Sequence, residues 1–246
     1  MDTIGYRYDT RIAYNQVDPS GKARSIAMME LLQEAAIEHC SDIGMDVFTL
    51  LSRRRGWMLR AGNLDLSRYP RYGEALRIDT WLSKWTAFTG PREFVLYTQK
   101  KEELARATTL WAYVDTEARR PVPVDPVFKE RWQFSDLRAI SRGFTKRPLT
   151  IPASHTTELF TVRRHDIDSN EHVHNVRYLE WVLESVPESY YHGQELITID
   201  GSFIQEARPQ DTILVQAGRV SDSELVHNVI RKTTGEVLST GRSVWR

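Results

Sequence analysis

Apolar residues recur at helical spacing once in each half of the chain. In the first half they predict a helix from Ser25 to about Ile43. In the second half they predict a helix from about Val173 to Val186, closed by Pro187. The positions that carry the two patterns are Met29, Leu32, Ala36, Cys40 and Ile43, and then Val176, Tyr178, Leu179, Trp181, Val182 and Leu183.

Shorter segments rich in β-branched and aromatic residues follow each helix and predict strands. These segments are residues 76–82, 93–98 and 108–114 in the first half, and residues 212–217, 225–230 and 238–245 in the second. Residues 233–236 include a glycine that suits a hairpin turn. Antiparallel strands around a long buried helix, formed twice, predict an α+β fold.

The two halves also match each other in sequence. Three pairs of segments match: residues 17–23 with 167–173, residues 104–111 with 238–245, and residues 73–74 with 210–211. The first pair keeps a constant separation of 150 residues from Asp18 and Asp168 through to Glu34 and Glu184. Two copies of one supersecondary unit explain all three matches.

A proline-rich stretch separates the two copies. Three prolines lie among residues 121–126, which excludes a regular helix or a central strand there. We therefore expect an N-terminal domain over residues 1–118, a linker over residues 119–152 with one short helix around residues 127–132, and a C-terminal domain over residues 153–246.

Composition narrows the classes of protein and partner. Of 246 residues, 41% are apolar and 27% are charged, and Lys+Arg balance Asp+Glu at 33 each, so the overall charge predicts no nucleic-acid partner. No apolar run approaches the ~20 residues that span a bilayer. The start of the chain has no signal-peptide core, and the single Cys40 excludes an internal disulfide. These features predict a cytoplasmic protein.

The richest chemistry lies in residues 165–175, immediately before the second helical pattern. Asp168, Asn170 and His172 gather acid, amide and imidazole groups where the unpaired N–H groups of a helix begin. Such a corner can polarise a carbonyl group while side chains move protons. The alternative interpretation is structural: Asp and Asn cap helices and form turns routinely, and a histidine can satisfy a turn carbonyl.

A metal site is the other interpretation of this histidine-rich segment. His172 and His174 are two residues apart, so they would not share one face of a helix. The sequence has neither cysteine pairs nor a helical His-x-x-x-His motif. We therefore predict neither a metal nor a cofactor.

These residues resemble the acyl-acyl carrier protein thioesterase family, the plant FatA/FatB type with bacterial relatives. The family pattern Asp-x-Asn-x-His-Val-x-Asn stands here at residues 168–175, and residues 32–36, 68–73 and 106–111 add to the likeness. His174 departs from the asparagine that the family usually has. The resemblance implies two tandem hot-dog folds, each a curved antiparallel sheet around a long central helix, and hydrolysis of fatty acyl thioesters.

The resemblance also implies a further acidic site residue, for which Glu206 is the best match. The expected catalytic set is Asp168, Asn170, His172 and Glu206. One carboxylate would activate water or attack directly, Asn170 would hold water or the carbonyl oxygen, and His172 would orient a carboxylate or move a proton. Which carboxylate acts as the base stays open. The expected oxyanion donors are the backbone N–H groups of Val173, His174 and Asn175.

Ala207 follows Glu206 where the plant enzymes have a cysteine, which excludes a cysteine–histidine route at that position. In the first half, Lys22, Ser20 and Tyr69 stand near the places of His172, Asn170 and Glu206. We therefore expect one active site, in the C-terminal domain. The N-terminal domain would supply much of the acyl pocket, from Ile26, Met28, Met29, Leu31, Leu32 and residues 57–59.

The expected partners are an acyl thioester substrate and acyl carrier protein. Because the carrier is acidic, its docking surface should be basic. The candidate docking residues are Arg53–Arg55, Arg119 and Arg120, Arg142 with Lys146 and Arg147, and Arg163 with Arg164. The same chemistry on acyl-coenzyme A, a non-catalytic acyl-binding protein and a dehydratase are the alternatives. The acyl chain length and a homodimer of tandem chains stay open.

Overall fold

The computed structural model describes residues 5–246, which form two compact units. Of the described residues, the first unit takes 5–59 and Leu64–Arg142, and the second takes Arg60–Asn63 and Gly143–Arg246. The proline-rich residues 121–126 thus fall within the first unit.

The first unit is an antiparallel sheet with a long helix against it. Its strands are β1 (Tyr6–Arg11), β2 (Arg55–Leu66, of which Arg60–Asn63 are assigned to the second unit), β3 (Ala75–Leu82), β4 (Thr89–Thr98), β5 (Glu103–Asp115) and β6 (Arg120–Pro121). Its helices are α1 (Ser25–Ser41), α2 (Val47–Ser52) and α3 (Pro126–Arg131). The strand order is β1-β3-β4-β5-β2, with β6 paired to β5. Helix α1 lies against β1 and β3.

The second unit repeats this arrangement. Its strands are β7 (His155–Thr161), β8 (Leu196–Phe203), β9 (Thr212–Arg219), β10 (Glu224–Arg231) and β11 (Glu236–Trp245), and its helices are α4 (Asn175–Glu184) and α5 (Glu188–Tyr191). The strand order is β8-β11-β10-β9-β7. Helix α4 lies against β9 and β10. The predicted hairpin turn joins β10 to β11, with Gly235 at a φ of +72°.

The long helices form where the apolar spacing predicts them, but α4 is shorter than expected. It begins at Asn175 rather than Val173, because Val173 pairs with Ile167 in an isolated antiparallel bridge and His174 has a non-helical ψ of 132°. It ends at Glu184, before Pro187. The spacing of apolar residues does not reveal this bridge, because an apolar residue in a bridge can continue the spacing of the helix that follows it.

Aromatic side chains fill part of the interior of the first unit. Trp57, Tyr113, Phe128 and Trp132 lie in mutual ring contact, with Cys40 in the same cluster. Burial raises the pKa of the Cys40 thiol to about 11, so it behaves as a small core residue, as the sequence predicts.

The predicted α+β architecture, a tandem pair of hot-dog units, is confirmed: each unit is an antiparallel sheet against its own long helix. Across residues 5–246, no helix is both long and apolar enough to cross a membrane.

Candidate active site

Asp168 organises the turn that precedes α4. Its Oδ1 accepts hydrogen bonds from the backbone N–H groups of Asn170 at 2.8 Å and His172 at 3.3 Å. Its own N–H donates to the carbonyl of His172 at 2.8 Å. Glu171 completes the turn with a φ of +60°, in the left-handed region. The aspartate therefore fixes the backbone that presents His172.

His172 and Glu206 come from separate segments and meet side chain to side chain. Nδ1 of His172 lies 3.1 Å from Oε1 of Glu206. The His172 side chain is 16% exposed and that of Glu206 is 32% exposed, so both can be reached by a ligand. A carboxylate on one imidazole nitrogen orients the ring and fixes which nitrogen carries the proton.

The segment with Glu206 follows β8 and is held at several points. The N–H groups of Ile204 and Gln205 donate to the carbonyl of Leu238 at 2.8 and 3.1 Å. The N–H of Ala207 donates to the hydroxyl of Tyr178 at 2.7 Å, and a guanidinium nitrogen of Arg231 donates to the carbonyl of Glu206 at 2.5 Å. The backbone on both sides of the carboxylate is therefore anchored.

The three predicted oxyanion amides differ in how they are used. The N–H of His174 donates to the carbonyl of Asp166 at 2.8 Å, so it is engaged within the protein. Val173 faces Ile167 in an isolated antiparallel bridge, and the hydrogen bonds of this bridge join the residues on either side of the pair. The N–H of Val173 therefore points away from Ile167. Asn175 is the first residue of α4, where an N–H has no partner within the helix.

Asn170 and His174 flank His172 in partly buried positions. Within the described part of the chain, the Asn170 side chain makes no hydrogen bond, so its amide is available to a ligand. Burial lowers the pKa of His174, while the nearby Asp168 opposes that shift. His174 is therefore neutral near pH 7, as the asparagine usual at this position would be.

The sequence indicated no role in the site for Asp166, Tyr178 or Arg231, and Tyr178 entered only as part of the apolar helical pattern. Asp166 is buried, and its Oδ2 accepts the N–H of Arg163 at 2.7 Å. In the first unit, the side chain of Gln16 accepts the N–H of Ala13 at 2.9 Å in the same way. Gln16 and Asp166 lie one residue before the matched segments, so extending the repeat alignment by one residue would have paired them. Tyr178 and Arg231 contact the segment of Glu206 only in the folded chain, and no local sequence pattern predicts these contacts.

The corresponding corner of the first unit has the same backbone and different chemistry. Oδ1 of Asp18 accepts the N–H groups of Ser20 at 2.8 Å and Lys22 at 3.0 Å, and Gly21 has a φ of +78°. In place of the imidazole–carboxylate pair, Nζ of Lys22 lies 5.7 Å from the ring centroid of Tyr69. This corner lacks the imidazole and the second carboxylate.

Among residues 5–246, no three His, Cys, Asp or Glu side chains are grouped as metal ligands. The cluster of His165, His172 and His174 does not form such a group.

Fold and site together define a tandem hot-dog protein in which only the second unit holds the complete Asp-Asn-His-Glu set. The model of the acyl-ACP thioesterase N-terminal domain matches residues 4–131, and that of the acyl-ACP thioesterase C-terminal domain matches residues 151–246. The chain belongs to the acyl-ACP thioesterase family.

Relatives cover the whole chain at modest identity. The chain is 26% identical to the acyl-[acyl-carrier-protein] hydrolase FATB3 of Cuphea viscosissima, covering 100% of this chain and 63% of that protein. It is 24% identical to oleoyl-acyl carrier protein thioesterase 1 of Arabidopsis thaliana, covering 100% of this chain and 77% of the relative. The chain thus spans only part of the length of these relatives.

Solved structures confirm the fold. The 12:0-ACP thioesterase of Umbellularia californica has a TM-score of 0.87 at 21% identity, covering 100% of this chain and 98% of that one. An oleoyl thioesterase structure from Lactobacillus plantarum has a TM-score of 0.86 at 23% identity, covering 100% and 97%.

Proposed function

We propose that this protein hydrolyses fatty acyl thioesters of acyl carrier protein and releases free fatty acid during fatty acid biosynthesis. The observation that carries the proposal is the 3.1 Å contact of Glu206 with His172, the histidine of the Asp-x-Asn-x-His turn. Both side chains are partly exposed, as an imidazole–carboxylate pair that receives a substrate needs to be.

The proposed chemistry uses water as the second substrate. A carboxylate, Asp168 or Glu206, takes a proton from water as its oxygen attacks the thioester carbon. The carbonyl oxygen becomes an oxyanion, which the N–H groups of Val173 and Asn175 and the amide of Asn170 stabilise. The carbon–sulfur bond then breaks, and the thiolate leaves and takes up a proton. His172 holds Glu206 in place and conducts protons between the pair and solvent.

The two carboxylates enter this scheme from different surroundings. Oδ1 of Asp168 is occupied by two backbone N–H groups, whereas Glu206 contacts the imidazole. Direct attack by a carboxylate would instead form an anhydride that water then opens. Incorporation of ¹⁸O from labelled water into a protein carboxylate in a single turnover would identify the anhydride route, with water attacking the carbonyl carbon of the protein side chain.

The first unit is proposed to receive the acyl chain. Its helix α1 carries Met28, Leu31 and Leu32, all buried, with Ile26 and Met29 partly buried. Apolar and flexible side chains such as these suit an alkyl chain. The chemistry is assigned to the second unit alone.

Acyl carrier protein is the proposed macromolecular partner, and the structure separates the candidate docking residues. Arg54, Arg55 and Arg142 are paired with acidic side chains of their own unit. Six other candidates are exposed and make no ion pair within the described part of the chain: Arg53, Arg120, Lys146, Arg147, Arg163 and Arg164. Of these, Arg163 and Arg164 precede the Asp168 turn, and the exposed Arg208 follows Glu206 by two residues. We place the dock at these three arginines. Cytoplasmic localisation stays a prediction.

The test is free-thiol release from a panel of acyl-carrier-protein and acyl-coenzyme A thioesters, with the wild type beside His172→Ala. Turnover of carrier-protein thioesters that the variant loses supports the proposal. A preference for coenzyme A thioesters would identify the protein as an acyl-coenzyme A thioesterase. Acyl binding without turnover at any chain length would contradict hydrolysis and identify an acyl-binding protein.

A further inference from the structure

We propose that Tyr178 and Arg231 are positioning residues that clamp the Glu206 carboxylate against His172. This inference rests on the proposed function, because it concerns the geometry of the same site. Neither residue is among the expected catalytic residues or oxyanion donors. Both act on the backbone that carries Glu206 rather than on its carboxylate.

Tyr178 holds the C-terminal side of Glu206. Tyr178 is 5% exposed, and its hydroxyl accepts the N–H of Ala207 at 2.7 Å. Ala207 is itself buried, so removing that acceptor would leave a buried N–H without its partner. Burial raises the pKa of Tyr178 to about 12, with the nearby Glu206 carboxylate adding to the rise, so the hydroxyl stays neutral at working pH. A rigid aromatic arm from α4 thus fixes the peptide next to the carboxylate.

Arg231 holds the carbonyl of Glu206 itself. One guanidinium nitrogen donates to that carbonyl at 2.5 Å, Nε donates to Asp211 at 2.9 Å, and the third nitrogen pairs with Glu236. A planar fork with three fixed acceptors allows little rotation, so the loop is tied to the end of β10. Asp211 also accepts the N–H of Arg208 at 2.9 Å, which closes the loop beyond Glu206.

The repeat shows which of the two contacts is specific to the second unit. At the repeat separation of 150 residues, Tyr178 corresponds to Met28, which has no polar group to hold a loop. In that unit Tyr69 stands where Glu206 would be, and Arg68 ties the loop to Glu74 and Glu102 and also donates to the carbonyl of Tyr69 at 3.3 Å. An arginine therefore secures this loop in both units, and the tyrosine contact to the following peptide N–H is the one that accompanies the glutamate, because Pro70 has no N–H to donate.

Tyr178→Phe removes only the acceptor oxygen. We expect kcat to fall by about 10- to 100-fold with KM within about twofold, since a small displacement of a catalytic group lowers the rate more than binding. The matched control is Tyr190→Phe. Tyr190 is also 5% exposed in the same unit and donates to the carbonyl of Ser221 at 3.2 Å, away from Glu206. This control should keep kcat.

A double-mutant comparison separates positioning from general weakening. In a Glu206→Gln background, Tyr178→Phe and Arg231→Lys should each lower kcat by less than a further twofold, because the carboxylate that they position is gone. An equal loss of kcat in both backgrounds, or kcat at the wild-type level in Tyr178→Phe, overturns the clamp. An inactive wild type would instead overturn the proposed function, so the two failures are distinguishable.

Discussion

His172 and Lys22 occupy corresponding positions in the two units but have different partners. His172 lies 3.1 Å from a carboxylate oxygen of Glu206, whereas Lys22 lies 5.7 Å from the ring of Tyr69. The preceding turns have the same backbone hydrogen bonds, with Asp168 and Asp18 as acceptors. The same backbone turn thus precedes an imidazole–carboxylate pair in the second unit and a cation–π contact in the first.

The first prediction is that only the second unit is catalytic. Replacing Lys22 by Ala or Tyr69 by Phe should leave kcat within about twofold, because neither corner residue can supply a proton-accepting pair. His172→Ala should lower kcat by about 10²–10⁴-fold, the range typical of acid–base groups. Steady-state thiol release measures both. A loss of kcat in Lys22→Ala with an unchanged Tm would contradict a single site.

The second prediction separates the charge of Asp168 from its role in the turn. Asn keeps an oxygen that can accept the N–H groups of Asn170 and His172, so Asp168→Asn should retain the fold, with Tm within about 3 °C. We expect kcat to fall by about 100-fold or more, because the negative charge is lost.

The matched control is Asp18→Asn, which makes the same exchange in the same turn of the first unit and should keep full activity. If Asp168→Asn also keeps full activity, Asp168 only holds the turn, and Glu206 is left as the single working carboxylate.

Local features of this molecule could be predicted from its sequence, and contacts between distant segments could not. The Asp168 turn, the hairpin at Gly235 and the two long helices each depend on a few neighbouring residues. The repeat also indicated that Tyr69 stands in the place of Glu206. Such features are encoded in short segments, where residue type and spacing set the backbone.

The rest depends on tertiary packing. Glu206 was identified through the family resemblance, since nothing near it in sequence indicates that it meets His172. Tyr178 contacts Ala207, and Arg231 reaches the Glu206 carbonyl, only because α4, β10 and the loop after β8 pack together. The early start predicted for α4 has the same cause, because the bridge between Ile167 and Val173 overrides a helical pattern.

The third prediction concerns acid stability. Burial lowers the pKa of His227 to about 3 and, together with the Arg92 charge, lowers that of His39 to about 2, both from 6.5. Between pH ~6.5 and these values the unfolded chain binds more protons than the folded chain. The free energy of unfolding should therefore fall as pH drops through this window, by up to about 1.4 kcal/mol per pH unit for each histidine.

Urea denaturation at pH 7, 6, 5 and 4 checks this dependence. His227→Gln removes one of the two sites, so its slope should be shallower than that of the wild type by about 1.4 kcal/mol per pH unit. His192→Gln, at a histidine whose side chain is 77% exposed, should keep the wild-type slope. Identical slopes for wild type and His227→Gln would mean that His227 does not resist protonation in the folded state.

The last prediction concerns the docking surface. Arg163→Glu with Arg164→Glu should raise KM for an acyl-carrier-protein thioester by about tenfold at low salt and leave kcat unchanged, because these exposed arginines closely precede Asp168 in the chain and are unpaired within residues 5–246. The difference in KM between the variant and the wild type should shrink as added salt shortens the range of the charge interaction.

The control is Lys129→Glu, which reverses an exposed positive charge in the first unit. An equal rise in KM for Lys129→Glu would indicate a general effect of net charge, and an unchanged KM for the arginine variant would place the carrier elsewhere.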